Sequence, residues 1–208
     1  DCMADVGTSE STRERLIRAA VEIANGEGLA AVTTVSVCRR VGIAQSSYYT
    51  HFASRDELLR ALAELWAAAT RLTNSAARAQ FGAHRDQPHL RDTMRAPLEL
   101  IRAHPEMFRL GRQIRHEPPS SPLGAHAREM AAANRADLVD DLMAMAEQDD
   151  PALRRRFEMV ADCIEAMVAA LGEGHIDGRY PDLEEVIDLL SIYAAGSPRL
   201  SAWLDWRT

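Results

Sequence analysis

Gln45, Ser46 and Ser47, then Tyr49, Thr50 and His51, crowd hydrogen-bonding side chains into one short stretch, and no Asp or Glu occurs anywhere from residue 28 to residue 55. Their chemistry is recognition, not bond-making. A glutamine amide can pair with an adenine edge and a serine hydroxyl with several base groups. Tyr49, Thr50 and Arg55 suit phosphate oxygens. His51 can take either a phosphate or a structural hydrogen bond. Nothing comparable supports catalysis. The chain has no HExxH, GxSxG or P-loop pattern, and its seven histidines form no i, i+4 pair, so neither a metal nor a nucleophile site is expected. The run Gly172-Glu173-Gly174-His175-Ile176-Asp177-Gly178 follows a helix, not a strand, and reads as a loop. Three widely spaced cysteines exclude a disulfide framework or zinc ribbon. Cys38 and Cys163 are expected to be small core residues.

The elements that must hold these residues are two short helices and a turn. Thr33 is placed to cap the first, Val37 and Val41 fall on one buried face, and Gly42 supplies a left-handed stop. Gln45 to Phe52 is too short and polar to be a stable helix alone. Braced at the turn, it suits a DNA major groove, which is a helix-turn-helix arrangement. Tyr48 is expected to pack inward with Phe52. Arg39 and Arg40 end the first of these helices, where they can either cap it or reach DNA.

Leu16–Ala24, Thr33–Val41, Gly42–Ile43, Tyr49-Thr50-His51-Phe52 and Arg55, followed by Asp56-Glu57-Leu58-Leu59, resemble in order and spacing the N-terminal signature of the TetR family of transcriptional regulators. Ala44 stands where a polar helix-capping residue is common in that family, and Arg55 where lysine is usual. The resemblance covers residues 12 to 62. It implies an all-α chain of about nine helices, with a three-helix DNA-binding domain carrying the helix-turn-helix and a larger C-terminal helical domain for ligand binding and dimerisation. The implied division is a flexible arm at 1–10, the DNA-binding domain at 11–57 and the second domain at 58–208. The candidate DNA-contacting set is Thr34, Gln45, Ser46, Ser47, Tyr49, Thr50, His51 and Arg55.

Composition bounds the rest. The 208 residues are 47% hydrophobic with a net charge of −7. No apolar run approaches a membrane span and no signal-peptide pattern is seen, so a soluble cytoplasmic protein is expected. All 24 basic residues are arginine, so any phosphate contact uses a planar guanidinium. Three of them lie between residues 28 and 55, leaving −10 elsewhere. A locally basic surface on an acidic body can approach DNA while the remainder is held off.

Helical patterns follow at about 11–26, from a Ser54 cap through Trp66, at 90–103 (kinked at Pro97 or beginning near it), 106–116, 123–148, 151–171 and 183–195, with a loop at 172–181. The tail bearing Trp203 and Trp206 is expected to pack. Asp137, Asp140, Asp141, Asp149 and Asp150 read as a solvated acidic face. Val160, Ile164, Met167, Val168 and Leu171, with Val186, Ile187, Leu190 and Tyr193, exceed one buried stripe, so a four-helix interface in a homodimer is expected.

The methionine-rich second half suits an apolar pocket with few convergent charges. Trp66, Met94, Leu98 and Phe108 are its candidate lining. The expected function is a repressor on a near-palindromic double-stranded operator, released by a hydrophobic or amphipathic small molecule, with no cofactor and no membrane partner. A small all-helical enzyme on a regulator-like fold is the alternative from another class; a ligand-free architectural DNA-binding protein is the third.

Overall fold

The computed structural model describes residues 10–147 and 150–195, and among these the regular structure is all helical. The arm expected at 1–10 (save Glu10) and the tail with Trp203 and Trp206 lie outside the described residues. Helix α1 (Thr12–Glu27) starts at a reciprocal cap: Glu14 N–H donates to Ser11 Oγ at 3.3 Å, and Ser11 N–H to Glu14 Oε2 at 2.7 Å. A 3-10 turn at Leu29–Ala31 leads to α2 (Thr34–Val41), where Ser36 N–H donates to Thr33 Oγ1 at 3.0 Å. Gly42 closes α2 at φ 77°, a conformation costly for a residue with a Cβ, and its N–H reaches the Cys38 carbonyl at 2.9 Å. Then come α3 (Gln45–Tyr49) and the long α4 (Arg55–His84).

The C-terminal part comprises α5 (Gln87–Ala103), α6 (Pro105–Arg115), α7 (Pro122–Ala146), α8 (Pro151–Ile176) and α9 (Leu183–Ala194). Pro105, Pro122 and Pro151 each occupy a first helical position, where the missing N–H has no intrahelical partner to lose. No helix of the described residues is long and apolar enough to cross a membrane.

Three apolar clusters hold these helices. The first packs Leu16, Ile23, Val37, Tyr48, Phe52 and Leu62 of α1–α4 and also takes in Leu110 and Ile114 of α6 and Leu123 of α7. Each such large side chain contributes on the order of 2 kcal/mol when buried, so the N-terminal helices are seated firmly on α6 and α7. The second joins α5 to α9 through Leu90, Leu98, Val186, Ile187 and Leu190. The third joins α7 to α8 through Val139, Met143, Leu153 and Phe157.

Several expectations need correcting. α3 stops at Tyr49, because Thr50 and His51 form a turn before Phe52. α5 begins at Gln87 and carries Pro97 inside it. The loop expected from 172 begins only after Ile176. Gly172 belongs to α8 as a contact point, since a Cβ there would lie 2.7 Å from Ile101 Cδ1 of α5. Cys163 is exposed, unlike the buried Cys38, because it shares an outward face of α8 with Met159. The acidic face is largely cross-helix pairing: Asp137, Asp140 and Asp141 meet Arg71, Arg154 and Arg78.

Candidate functional site

α3 is a one-turn helix standing on a buried tyrosine. Tyr48 is fully buried and donates its hydroxyl to the Ser54 carbonyl at 3.0 Å. Burial pushes its phenol up to about 12. Its ring meets Tyr49 edge-on at 5.5 Å and Phe52 at 5.9 Å. With that side locked, Gln45, Ser46, Ser47, Tyr49 and Thr50 are left exposed on the other. Thr50 spends its proton on the Ser47 carbonyl at 2.7 Å, leaving its oxygen free to accept. Ala44 supplies no side-chain cap, so the first N–H groups of α3 have no side-chain acceptor there. Arg15 braces the turn from behind, donating to the Val41 carbonyl at 2.8 Å.

Three expected contacts sit differently. Arg55 turns inward: Nε donates to the Val32 carbonyl at 2.5 Å and Nη2 to the Leu29 carbonyl at 2.9 Å, while Nη1 lies 3.4 Å from Asp56. It ties the start of α4 to the 3-10 turn. The N-terminus of α4 is also satisfied by the chain itself, with Ser54 accepting from Glu57 N–H and Glu57 accepting from Ala53 N–H. Arg40 pairs with Glu22 at 3.1 Å and Glu27 at 3.5 Å on the α1 side, whereas Arg39 stays exposed. Thr34 is half-buried beside the Tyr48 hydroxyl. His51 is half-buried too.

A cavity of about 420 Å³ lies among α4, α5, α6, α7 and α8. Trp66, Met94 and Phe108 line it, with Pro97, Leu100 and Ile101. The Trp66 and Phe108 rings meet edge-on at 6.4 Å. Leu98 is not in the wall: 1% exposed, it is spent in the α5–α9 cluster. The expectation of few charges also fails. Arg71 holds Asp137 bidentately at 2.7 and 3.0 Å, Arg78 holds Asp141 at 2.6 Å, and Arg112 pairs with Glu173. Glu165, on α8, faces the cavity, and burial pushes its carboxyl up despite the opposing charge of Arg115.

Residues 16–62 match the family model for bacterial regulatory proteins of the tetR family. Over 52 residues the chain is 42% identical to the tetracycline repressor protein class C of Escherichia coli, a stretch that spans 25% of this chain and 24% of that relative. Residues 16–62 are thus a TetR-type DNA-binding region. The matched family model is confined to the region of the helix-turn-helix, whereas the likeness in fold extends over most of the chain. The fatty acid degradation regulator FadR from Bacillus halodurans superposes with a TM-score of 0.69 at 14% identity, covering 92% of this chain and 98% of its own. The multidrug binding protein EbrR, solved with malachite green, superposes at 0.59 and 19% identity, covering 87% and 98%.

Sequence reasoning missed the polar half of the cavity wall. A signal was present: Arg71 and Arg78 are seven apart on α4, and Asp137 and Asp141 are four apart on α7, so each pair lies on one helical face.

Proposed function

We propose that this chain is a regulator of the TetR family, a ligand-responsive DNA-binding transcriptional regulator. It acts as a homodimeric repressor on a near-palindromic operator in the cytoplasm. Residues 11–57 form the reader and 58–208 the ligand-binding and dimerisation part. Gln45, Ser46 and Ser47 read base edges, Tyr49 and Thr50 hold phosphates, and Thr34 and His51 flank them. Arg55 we assign to bracing rather than contact.

One observation carries the ligand response. Two helices are shared between cavity and reader: α4 offers Trp66 and Thr70 to the cavity and Leu58, Leu59 and Leu62 to the reader core, while α6 offers Phe108 and Arg112 to the cavity and Leu110 and Ile114 to that core. A molecule that displaces Trp66 or Phe108 therefore moves the base on which α3 stands. In a dimer the two α3 helices would then no longer match successive major grooves about 34 Å apart. The cavity speaks against a ligand-free architectural role. EbrR, a multidrug binding protein solved with malachite green, supports the reading in that a similar fold accommodates a small molecule.

The test is to select bound fragments from the source genome and follow operator binding by fluorescence anisotropy. Tyr49→Ala should weaken all sequences alike, and Gln45→Ala should change base preference. Binding that selects no sequence and ignores both substitutions overturns the reading.

A further inference from the structure

We propose that the effector carries a positively charged, hydrogen-bond-donating nitrogen on an apolar body, and that Glu165 receives that nitrogen. The proposal rests on the reading of the cavity as the effector site. Its ground is the pairing pattern of the wall. Arg71, Arg78 and Arg112 each already hold a carboxylate across a helix boundary, namely Asp137, Asp141 and Glu173. Arg115, the last residue of α6, is exposed. Only the more distant charges of Arg115, Asp162 and Arg135 act on Glu165, and no hydrogen bond engages its carboxylate among the described residues. Arg135 is itself taken up by Asp162 at 3.1 Å.

A half-buried carboxylate in that position has lost part of its water without gaining a hydrogen bond from the chain, and its raised carboxyl agrees with that. An ammonium group would supply the missing charge and hydrogen bonds together. Two more polar groups agree. The Oδ1 atoms of Asn74 on α4 and Asn134 on α7, both residues of the same wall, are buried without a hydrogen-bond partner. An amide can turn to present either its oxygen or its nitrogen, so both can accept from a bound N–H group. The apolar body would lie along Trp66, Met94, Ile101 and Phe108. An anionic effector would instead add a second negative charge beside Glu165, and the arginines holding Asp137, Asp141 and Glu173 would have to release them to meet it, leaving only the exposed Arg115 among the described arginines of the wall to pair with it directly. The cavity, at about 420 Å³, is of a size for a single drug-like molecule.

The experiment uses three ten-carbon probes that differ only in the head group: decylammonium, decanol and decanoate. Each is titrated calorimetrically into the full chain below its aggregation concentration. Decylammonium should bind about tenfold more tightly than decanol, the gain of one charge-assisted hydrogen bond, with decanoate weakest. Glu165→Gln, which keeps the shape of the side chain, should erase the preference for the amine and leave decanol unchanged. Decanoate binding as tightly as decylammonium, or an amine preference that survives Glu165→Gln, overturns the inference while leaving the cavity reading intact. Leu100→Trp, which fills the cavity, should abolish binding of all three. If no probe binds the wild type, or all three bind that variant unchanged, the effector site itself is misplaced and the inference falls with it.

Discussion

The guanidinium of Arg55 is spent on the protein's own backbone. Two backbone carbonyls of the 3-10 turn, at Leu29 and Val32, accept its donors at 2.9 and 2.5 Å. This fixes where α4 begins and hence where Ser54, the acceptor for Tyr48, is held. Charge-assisted bonds of this kind contribute about 2 kcal/mol each, reduced here by partial exposure. Arg55→Ala should therefore lower unfolding stability by about 2 kcal/mol, measured by urea denaturation. Its operator affinity, measured well below the transition, should fall less than that of Tyr49→Ala. Unchanged stability with a shallower salt dependence of binding would instead make Arg55 a phosphate contact. The position of Arg55 was legible in the sequence, as was the inward face of Tyr48, which follows from helical spacing. Which way a long side chain bends was not, because that depends on carbonyls more than 20 residues away.

At the level of helices, the pattern of apolar residues and prolines located nearly every element, and the misplaced ends have local causes. Gly172 and Gly174 look like helix breakers in a linear reading, yet both are buried within α8, where Ile101 of α5 and Tyr180 press against them. The double duty of α6 was not legible, since a single short helix gives no sign that both its faces are claimed. Gly111 marks the place where α6 meets α4: a Cβ there would stand 2.9 Å from Trp66 Cδ1. Gly111→Ala gains about 1 kcal/mol of helix propensity. Overpacking against Trp66 opposes it with about 1–3 kcal/mol. Stability should thus fall slightly or hold, while the Trp66 ring is forced toward the cavity. The expected result is operator binding that no longer responds fully to ligand, read by anisotropy with and without an effector. A full response in a stable Gly111→Ala protein would remove the Trp66–Gly111 contact from the path between cavity and reader.

For the molecule as a whole, the decisive feature is what α9 leaves outside. Val186, Ile187 and Leu190, expected in a dimer interface, are consumed within the subunit against α5, being 4%, 0% and 1% exposed. Leu189, Ile192 and Tyr193 remain uncovered at 42%, 68% and 59%, on one face at i, i+3 and i+4, and Met159 of α8 is 54% exposed. The apolar excess of α9 was legible in the sequence, but not which of its sides the chain itself would use. A single reader with Arg40 engaged by Glu22 and Glu27 and Arg55 turned inward offers DNA little positive charge. Against an otherwise acidic chain, useful affinity then requires two readers on one duplex. Ile192→Asp places like charges opposite one another if the α9 faces meet across a two-fold axis. Because Ile192 is exposed in the subunit, the change should alter the subunit's own stability by no more than about 0.5 kcal/mol. Sedimentation at micromolar concentration should show a wild-type dimer and an Ile192→Asp monomer. Operator affinity should drop by roughly 100-fold or more, since binding the second half-site is no longer intramolecular. A wild-type monomer, or an Ile192→Asp dimer with undiminished affinity, would place the assembly surface elsewhere and leave the uncovered face of α9 without a role.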